Sequence, residues 1–367
     1  MRRRTIRTYM NRLSAIDAFT PAFARVRALL FQRFQLDTWL KFGFIGLMGG
    51  GVVMASTGIN GSFPSGNPQL PSGEAPDLGR IFHSIHLARY LPFIVAVIVT
   101  ILVISLIFEY LFCRFRFILF ESIITGRPDI GLGWSKYSTQ ANRYFGFWLV
   151  FRLVNWVVIW AIIGIPLYRA YKNGTFDGEG SLPALFAMLA TVGLGAIAVG
   201  IIFAVVSTLV KDFVMPVMAL DNYTLGDAWS SVVRVVSSEP GAWAAYMGLK
   251  LLCAFGATIA LTIAFVIAML PSIIIVGIPA GIVIGIGIAV LKAGSAAAGI
   301  ILCGLGGAIA VAGFFCIYML LSAPVSVFFA SYAFYFFGGR YPKLAALLWP
   351  QQPIPPAPHT VGMQPAL

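Results

Sequence analysis

Apolar residues occur along this chain in long runs that are separated by shorter polar segments. Runs of about 20 apolar residues predict membrane-spanning helices, whereas the strands of a membrane barrel would give an alternating pattern. The runs predict six spans, at about 39–57, 91–113, 144–166, 182–210, 243–270 and 296–321. The predicted fold class is therefore all-α: a polytopic membrane helical bundle of about six transmembrane helices.

The composition excludes a soluble fold and changes the meaning of the charge. Of the 367 residues, 59% are apolar and 10% are charged, and the mean hydropathy is +0.89. Soluble domains are about 25% charged. The formal net charge of +12 would suggest nucleic acid in a soluble protein, but in a membrane protein it reports topology. We therefore expect no nucleic acid partner.

The distribution of basic residues predicts the orientation of the chain. Nine basic residues precede or open the first span, so the positive-inside rule places the N-terminus in the cytoplasm. With six spans, both termini are cytoplasmic, 18 of the 25 basic residues lie on the cytoplasmic side, and the Gly/Pro/Ser-rich loop 58–76 is external. A seventh span would move Arg340 and Lys343 outside, so the apolar stretch 271–291 is expected to be re-entrant or broken. We predict a multi-pass protein of the bacterial inner membrane.

Three regions follow from these patterns. They are a basic amphipathic cytoplasmic segment at 1–38, a transmembrane domain at 39–345 and a Pro-rich disordered tail at 346–367. In the first region, apolar residues recur three or four positions apart, which indicates one helical face: Phe19, Phe23, Val26, Leu30 and Phe34. Two interpretations remain open. The helix lies on the inner membrane surface, attracted by anionic lipid, or it packs against the cytoplasmic end of the bundle.

A weak internal repeat involves three tryptophans. Trp39, Trp134 and Trp229 follow one another at intervals of 95 residues, and each lies at or before the start of an odd-numbered span. Tryptophan favours the headgroup zone, so we predict that these residues are interfacial anchors beside cytoplasmic interfacial helices. The pattern fits a three-fold hairpin repeat, although interfacial tryptophans occur without any duplication. An aromatic, partly polar stretch also follows each even-numbered span, and we expect these stretches on the inner side as well.

Three stretches carry a family resemblance: FARVRALLFQRFQLDTWLKFGFIGLMGG, DFVMPVMALDNYTLGDAWSSVVRVV and PVSVFFASYAFYFFG. They resemble uncharacterised bacterial multi-pass membrane proteins. That group is similar to the membrane domain found on some glycerophosphoryl diester phosphodiesterases. The resemblance covers most of 20–340 and brings no catalytic residues with it. The phosphodiesterase catalytic domain is absent, because no stretch supplies its His/Glu/Asp metal-site pattern.

Charged residues inside the predicted spans are the candidate functional residues, because burying them in lipid is costly. Glu109, Arg152 and Lys250 each lie one to two turns from the cytoplasmic end of a span. With Asn155 they would line a polar path, or form an inward-facing vestibule for an anionic headgroup or solute. Alternatively, Glu109 pairs with one of the two cations and fixes helix packing.

Other chemistry has little support in the sequence. His83 and His86 share a helix face, but a metal site would need a further ligand beyond Asp77. The four cysteines show no CxxC spacing, and no nucleotide or protease motif has a credible setting. We therefore assign no metal, no cofactor and no catalytic residue.

Two classes of function remain. The leading hypothesis is a non-enzymatic protein that acts in transport, in lipid handling or as a membrane partner of envelope proteins. Its expected partners are membrane lipids, anionic ones above all, and other proteins or a second copy of the chain. The alternative is a membrane-embedded enzyme that acts on a lipid headgroup at the inner leaflet through Glu109, Asp212 or Glu121. Transport predicts a continuous polar path, and a lipid site predicts polar residues at one headgroup depth with a lateral opening.

Overall fold

The computed structural model describes residues 13–32, 34–49, 87–173 and 181–349. The regular secondary structure of these residues is helical throughout, and five helices are long and apolar enough to cross a membrane. The predicted all-α polytopic membrane bundle is therefore confirmed. The helices are α1 Phe19–Val26, α2 Leu36–Met48, α3 Leu87–Thr125, α4 Ile130–Lys136, α5 Ser138–Lys172, α6 Ser181–Leu209, α7 Met215–Asp221, α8 Leu225–Ser238, α9 Pro240–Ser272, α10 Ile278–Lys292, α11 Ala296–Gly338 and α12 Pro342–Leu348.

The long helices extend well beyond a membrane. Helices α3 and α11 contain 39 and 43 residues, which gives them a length of roughly 60 Å, against about 30 Å for the hydrocarbon core of a bilayer. The most apolar window of each of the five spans is at most 6% buried inside the protein. One end of each long helix is therefore free to face lipid, and the other end enters a packed core.

An aromatic core forms where α2, α3, α5, α9 and α11 converge with the α6–α7 segment. Tyr246 lies at its centre, with its ring 5.1 Å from that of Tyr332 and 4.5 Å from that of Phe336. The stretches after the even-numbered spans supply much of this core, so they contact each other rather than form a surface at the headgroup zone. Its largest fully buried aromatic side chains are Phe42, Phe117, Phe120, Tyr144, Phe213, Tyr246, Tyr332, Phe336 and Phe337.

Helix α2 crosses α11 with its backbone in close contact. A Cβ atom added at Gly43 would collide with the carbonyl oxygen of Met319, and one added at Gly46 would collide with the Ser326 side chain. Small residues permit such approach between membrane helices. Of the predicted first span, the structure describes the helix through Met48. The remainder, the external loop 58–76, His83 and His86 lie outside the described residues, so a sixth span stays a prediction.

The expectation of a re-entrant or broken segment at 271–291 is wrong. Helices α9 and α10 form one helical segment of 53 residues, Pro240–Lys292, joined by a π-helical turn at Ile273–Gly277. Pro271 lacks a backbone N–H group, and a local π-helical adjustment accommodates such an interruption without reversing the chain. The segment reverses only after Lys292, where Gly294 adopts a φ of 94°, and α11 then returns alongside it.

Helices α10 and α11 pack through small residues. A Cβ atom at Gly287 would lie 2.8 Å from the Cys303 nitrogen, and one at Gly306 would lie 2.8 Å from the Ala280 carbonyl oxygen. Residues seven apart recur on one face of paired helices, and Gly299, Gly306 and Gly313 follow that spacing. The Gly277/Gly281/Gly285 spacing, although it looks similar in the sequence, is not the contact face: nothing lies within 4 Å of a Cβ atom at Gly281 or Gly285.

The amphipathic segment packs against the bundle. The Tyr332 hydroxyl donates to the Ala15 carbonyl oxygen at 3.1 Å, and Arg25 Nε donates to the Ile123 carbonyl oxygen at 3.1 Å. The apolar residues that were predicted to share one face differ in exposure, because Val26 and Leu30 are buried whereas Phe23 is 60% exposed. Helix α1 therefore presents an alanine-rich face to the core and a phenylalanine face to its surroundings.

The last described helix reaches into the predicted tail. Helix α12 ends at Leu348, and residues 350–367 of the predicted tail lie outside the described residues.

Candidate functional site

Two ion pairs lie where the spans enter the aromatic core. Glu109 on α3 accepts from Arg152 on α5, with 2.6 Å between Oε2 and Nη2. Lys250 on α9 pairs with Asp212 in the π-helical turn Val210–Val214, and the Tyr246 hydroxyl donates to the same carboxylate at 2.9 Å. The structure thus joins Glu109 to Arg152, whereas Lys250 pairs with an acid that the sequence had suggested only as an enzyme residue.

Lys211 lies between these two pairs. Its ammonium group is 5.0 Å from the centre of the Trp148 ring, and it interacts electrostatically with Glu109, Asp212, Lys250 and Arg116. We refer to these residues as the charged cluster. It contains four cations and two carboxylates: Arg116, Arg152, Lys211, Lys250, Glu109 and Asp212.

Asn155 is not part of this arrangement. It lies on α5 three residues beyond Arg152, is half-buried, and makes no hydrogen bond to any described residue. Arg116 contacts other partners: its Nε donates to the Gly49 carbonyl oxygen at 2.9 Å, and its Nη1 lies 3.3 Å from the Tyr144 hydroxyl. The polar path predicted from Glu109 through Asn155 therefore contains the ion pairs but not the amide.

The ion pairs occupy equivalent places in the predicted repeat. Each pair links an even-numbered span to the odd-numbered span that follows it: Glu109 with Arg152, and Asp212 with Lys250. Trp148 and Trp243 each lie 14 residues after an anchor tryptophan, and both are buried in the core. These equivalent positions belong to the second and third copies of the predicted repeat. The same two copies have the sequences that align best.

The predicted anchor tryptophans lie at the edge of the aromatic core. Trp39 Nε1 donates to the Leu30 carbonyl oxygen at 2.7 Å, and the Arg114 guanidinium lies 4.9 Å from the ring centre of Trp134. Trp229 on α8 is partly buried against the same core. All three are half-buried, and their depth in a membrane stays a prediction.

The carboxylates considered for enzyme chemistry are all engaged by hydrogen-bond donors. Besides the two in the charged cluster, Glu121 accepts from Lys136 Nζ at 2.8 Å and from the Tyr137 hydroxyl at 2.6 Å. Burial raises the pKa of the Tyr137 phenol, and its hydrogen bond to Glu121 raises that pKa further. Tyr137 is therefore a neutral donor that engages Glu121 in a structural contact.

Buried arginines have a structural role that the sequence did not reveal. Arg114 donates to the Trp134 carbonyl oxygen at 2.9 Å and to the Tyr110 hydroxyl at 2.7 Å. Arg340 pairs with Glu239 at 3.1 Å and donates to the Phe336 carbonyl oxygen, in the last turn of α11, at 3.0 Å. Carbonyl groups near helix ends lack intrahelical donors and carry partial negative charge, so cations stabilise them. Some of the excess basic residues therefore stabilise helix ends and are not candidates for binding a ligand.

No metal centre appears in the described part of the chain. Groups of three or more His, Cys, Asp or Glu residues arranged to hold a metal ion are not found there. The four cysteines are unpaired.

A large apolar groove lies beside the core. It encloses about 550 Å³ between α1, α9 and α11, within the range of about 300–1,000 Å³ that is typical of ligand pockets. Aromatic walls come from Phe23 on α1, from Phe31 in the π-helical turn Arg27–Phe31 that follows α1, and from Phe328 on α11. No sequence pattern indicates this groove, because α1, α9 and α11 are far apart along the chain.

Comparison with known families gives one match. The family model described as "Family of unknown function (DUF7544)" matches residues 13–347. The chain belongs to this family. The matched residues contain the aromatic core, the charged cluster and the groove. No match was found among curated proteins or among solved structures.

Proposed function

We propose that this chain is a non-enzymatic protein of the bacterial inner membrane that binds the headgroups of anionic lipids at the charged cluster. The observation that carries the proposal is the excess of four cations over two carboxylates at the level where the spans leave the core. Because the Arg152 side chain is 59% exposed, lipid has lateral access to this level. A cation near a membrane surface attracts anionic lipid by about 1 kcal/mol.

The same geometry argues against transport of a polar solute by the described spans. Beyond the charged cluster, the stretches 92–108, 153–168, 183–210, 251–291 and 296–339 contain no Asp, Glu, Lys or Arg. The charged residues that could line a path therefore stop at the cluster. The enzyme alternative is weaker too, because Glu109, Asp212 and Glu121 are each held by a cation.

The proposed topology places both termini and the charged cluster on the cytoplasmic side. The bias of basic residues supports it, and that side of a membrane is rich in anionic lipid. Cysteine labelling at Ser138 and Ser65 should give opposite sidedness, and labelling of both from one side would refute the orientation. We propose the resemblance to the membrane domain of glycerophosphoryl diester phosphodiesterases only as an evolutionary relationship. It implies no shared activity, because the catalytic pattern is absent.

The decisive experiment measures lipid retention. The full chain is placed in nanodiscs with equal amounts of phosphatidylglycerol and phosphatidylcholine, and the lipids that stay bound are counted by native mass spectrometry. We expect preferential retention of phosphatidylglycerol. Lys211→Gln should lower it about fivefold, the equivalent of the loss of one interfacial cation.

Two variants control this result. Lys211→Arg keeps the charge and should retain the lipid. Arg143→Gln removes an exposed charge of α5 outside the cluster and should have no effect. Equal retention of both lipids, or equal loss in Lys211→Gln and Arg143→Gln, would overturn the proposal.

A further inference from the structure

The groove lies between two contacts that join the α9–α10 segment to α11. Tyr246 stacks on Tyr332 at one end, and at the other end Val276 contacts the backbone at Gly313. Thirty residues separate the two contacts along α9, but only nineteen along α11. At 1.5 Å per residue these lengths are about 45 and about 28 Å. Between the two contacts lies a gap, lined by Cys253 and Ala257 from α9 and by Pro324 and Phe328 from α11.

The gap becomes a groove because α1 lies across it. Cys253 and Ala257 face the groove from α9, and Phe328 faces it from α11. Phe23 on α1 and Phe31 in the π-helical turn after it are 60% and 56% exposed, so the groove is open along this side. Of the described residues that line it, Arg27 alone carries a charge.

Arg27, the first residue of the π-helical turn after α1, differs from Arg25 on α1. Arg25 is committed to the Ile123 and Ile124 carbonyl oxygens. Arg27 is exposed and forms no ion pair with a described residue. An apolar groove with one unpaired cation is complementary to an amphiphile with an anionic head.

The groove also adjoins the charged cluster. Cys253 and Ala257 lie three and seven residues beyond Lys250, and residues at these spacings share one helix face. The same face of α9 therefore passes from the charged cluster into the apolar groove. A molecule seated here would keep its head at the level of the cluster and its tail along the spans.

We infer that the groove binds one acyl chain of an anionic phospholipid, whose phosphate lies against Arg27. This inference rests on the proposed lipid binding, and it specifies the lipid and the place where it binds. The bilayer supplies such a molecule directly, whereas a peptide in this groove would have to leave its backbone polar groups without partners, which is costly in an apolar environment.

The test uses a phosphatidylglycerol analogue with a photoreactive diazirine in one acyl chain. The full chain is cross-linked in nanodiscs, and the labelled peptides are identified. We expect labels on the 23–31, 253–257 and 324–329 segments. Ala257→Trp fills the groove and should lower this labelling at least tenfold. Ala260→Trp, at an exposed position of α9 outside the groove, should leave it unchanged.

The headgroup contact is tested separately. Arg27→Gln should lower labelling by the phosphatidylglycerol analogue about fivefold, as expected for one interfacial cation. Arg143→Gln is the control for loss of an exposed charge. A phosphatidylcholine analogue should label the groove less than phosphatidylglycerol and respond less to Arg27→Gln.

Several outcomes would overturn the inference. Equal labelling by both lipids, unaffected by Ala257→Trp, would identify ordinary surrounding lipid. Absence of lipid labels together with a Cys253 thiol protected from maleimide would identify another protein segment as the occupant. If the groove stays unlabelled while Lys211→Gln still lowers lipid retention, the inference fails alone. If retention does not depend on Lys211, the proposed function fails.

Discussion

The aromatic core and the apolar spans are built on the same helices but follow opposite rules. In the core, tyrosine and phenylalanine rings stack and buried cations find acceptors, so polar groups are inside. Along the spans, large apolar side chains such as Leu252 and Ile267 are 69% and 68% exposed. Hydrophobicity along the chain therefore marks where lipid is the solvent, and it does not mark where the protein packs against itself.

The comparison also distinguishes two ways to pack. The core depends on large side chains, whereas α10 and α11 approach each other through glycines without any aromatic contact between them. In lipid, apolar side chains gain little by association, so close backbone contact supplies the attraction. In the core, by contrast, the helices carry polar groups and aromatic rings that require defined neighbours.

The largest expected effect comes from removing a core ring. Phe336→Ala should lower the free energy of unfolding by about 3–5 kcal/mol, because it leaves a cavity among packed aromatic rings. Leu252→Ala, at an exposed position of the spans, should change it by less than about 1 kcal/mol. Unfolding by titration with a denaturing detergent, followed by circular dichroism, measures both. Similar losses at the two positions would remove the distinction between core and spans.

A smaller effect is expected at the boundary between the two regions. Glu109→Gln or Arg152→Gln should each cost about 2–3 kcal/mol, because an unpaired charge is left near lipid. The double variant should be milder than the worse single variant. A double-mutant cycle on thermal stability tests this coupling. Strictly additive losses would mean that the two residues act independently.

Within the spans, the effect of replacing a glycine on stability should depend on whether that glycine contacts α11. Gly287→Ala should lower the free energy of unfolding by about 1–3 kcal/mol, because its Cβ would meet backbone atoms of α11. Gly281→Ala on the same helix meets open space and should be neutral or stabilising by about 0.5–1 kcal/mol. The two variants are compared in the same unfolding assay. Equal effects would argue against the α10–α11 seam.

The smallest expected effect concerns the depth in the membrane of the three tryptophans at the edge of the aromatic core. If Trp39, Trp134 and Trp229 are interfacial, brominated lipids should quench single-tryptophan variants to a comparable, shallow extent. One of them quenched at the bilayer centre, or shielded from both lipid and water, would contradict the repeat and separate the core from the headgroup zone.

The sequence by itself determined the fold class and the helices that cross the membrane. Hydropathy is summed over about 20 neighbouring residues, so it is a local property that the chain carries wherever it folds. The absence of a recognisable catalytic motif was equally visible. Charged positions within the spans, such as Glu109, Arg152 and Lys250, were identifiable for the same reason.

The tertiary structure decided which of these residues meet. Lys250 pairs with Asp212, 38 positions away, and Arg340 contacts the carbonyl of Leu13, 327 positions away. Such contacts depend on how helices cross and rotate, and a local pattern does not contain that information. The glycines that face α11 and the groove beside Arg27 arise in the same way. Each is a relation between distant helices, set by packing and not by any one of them.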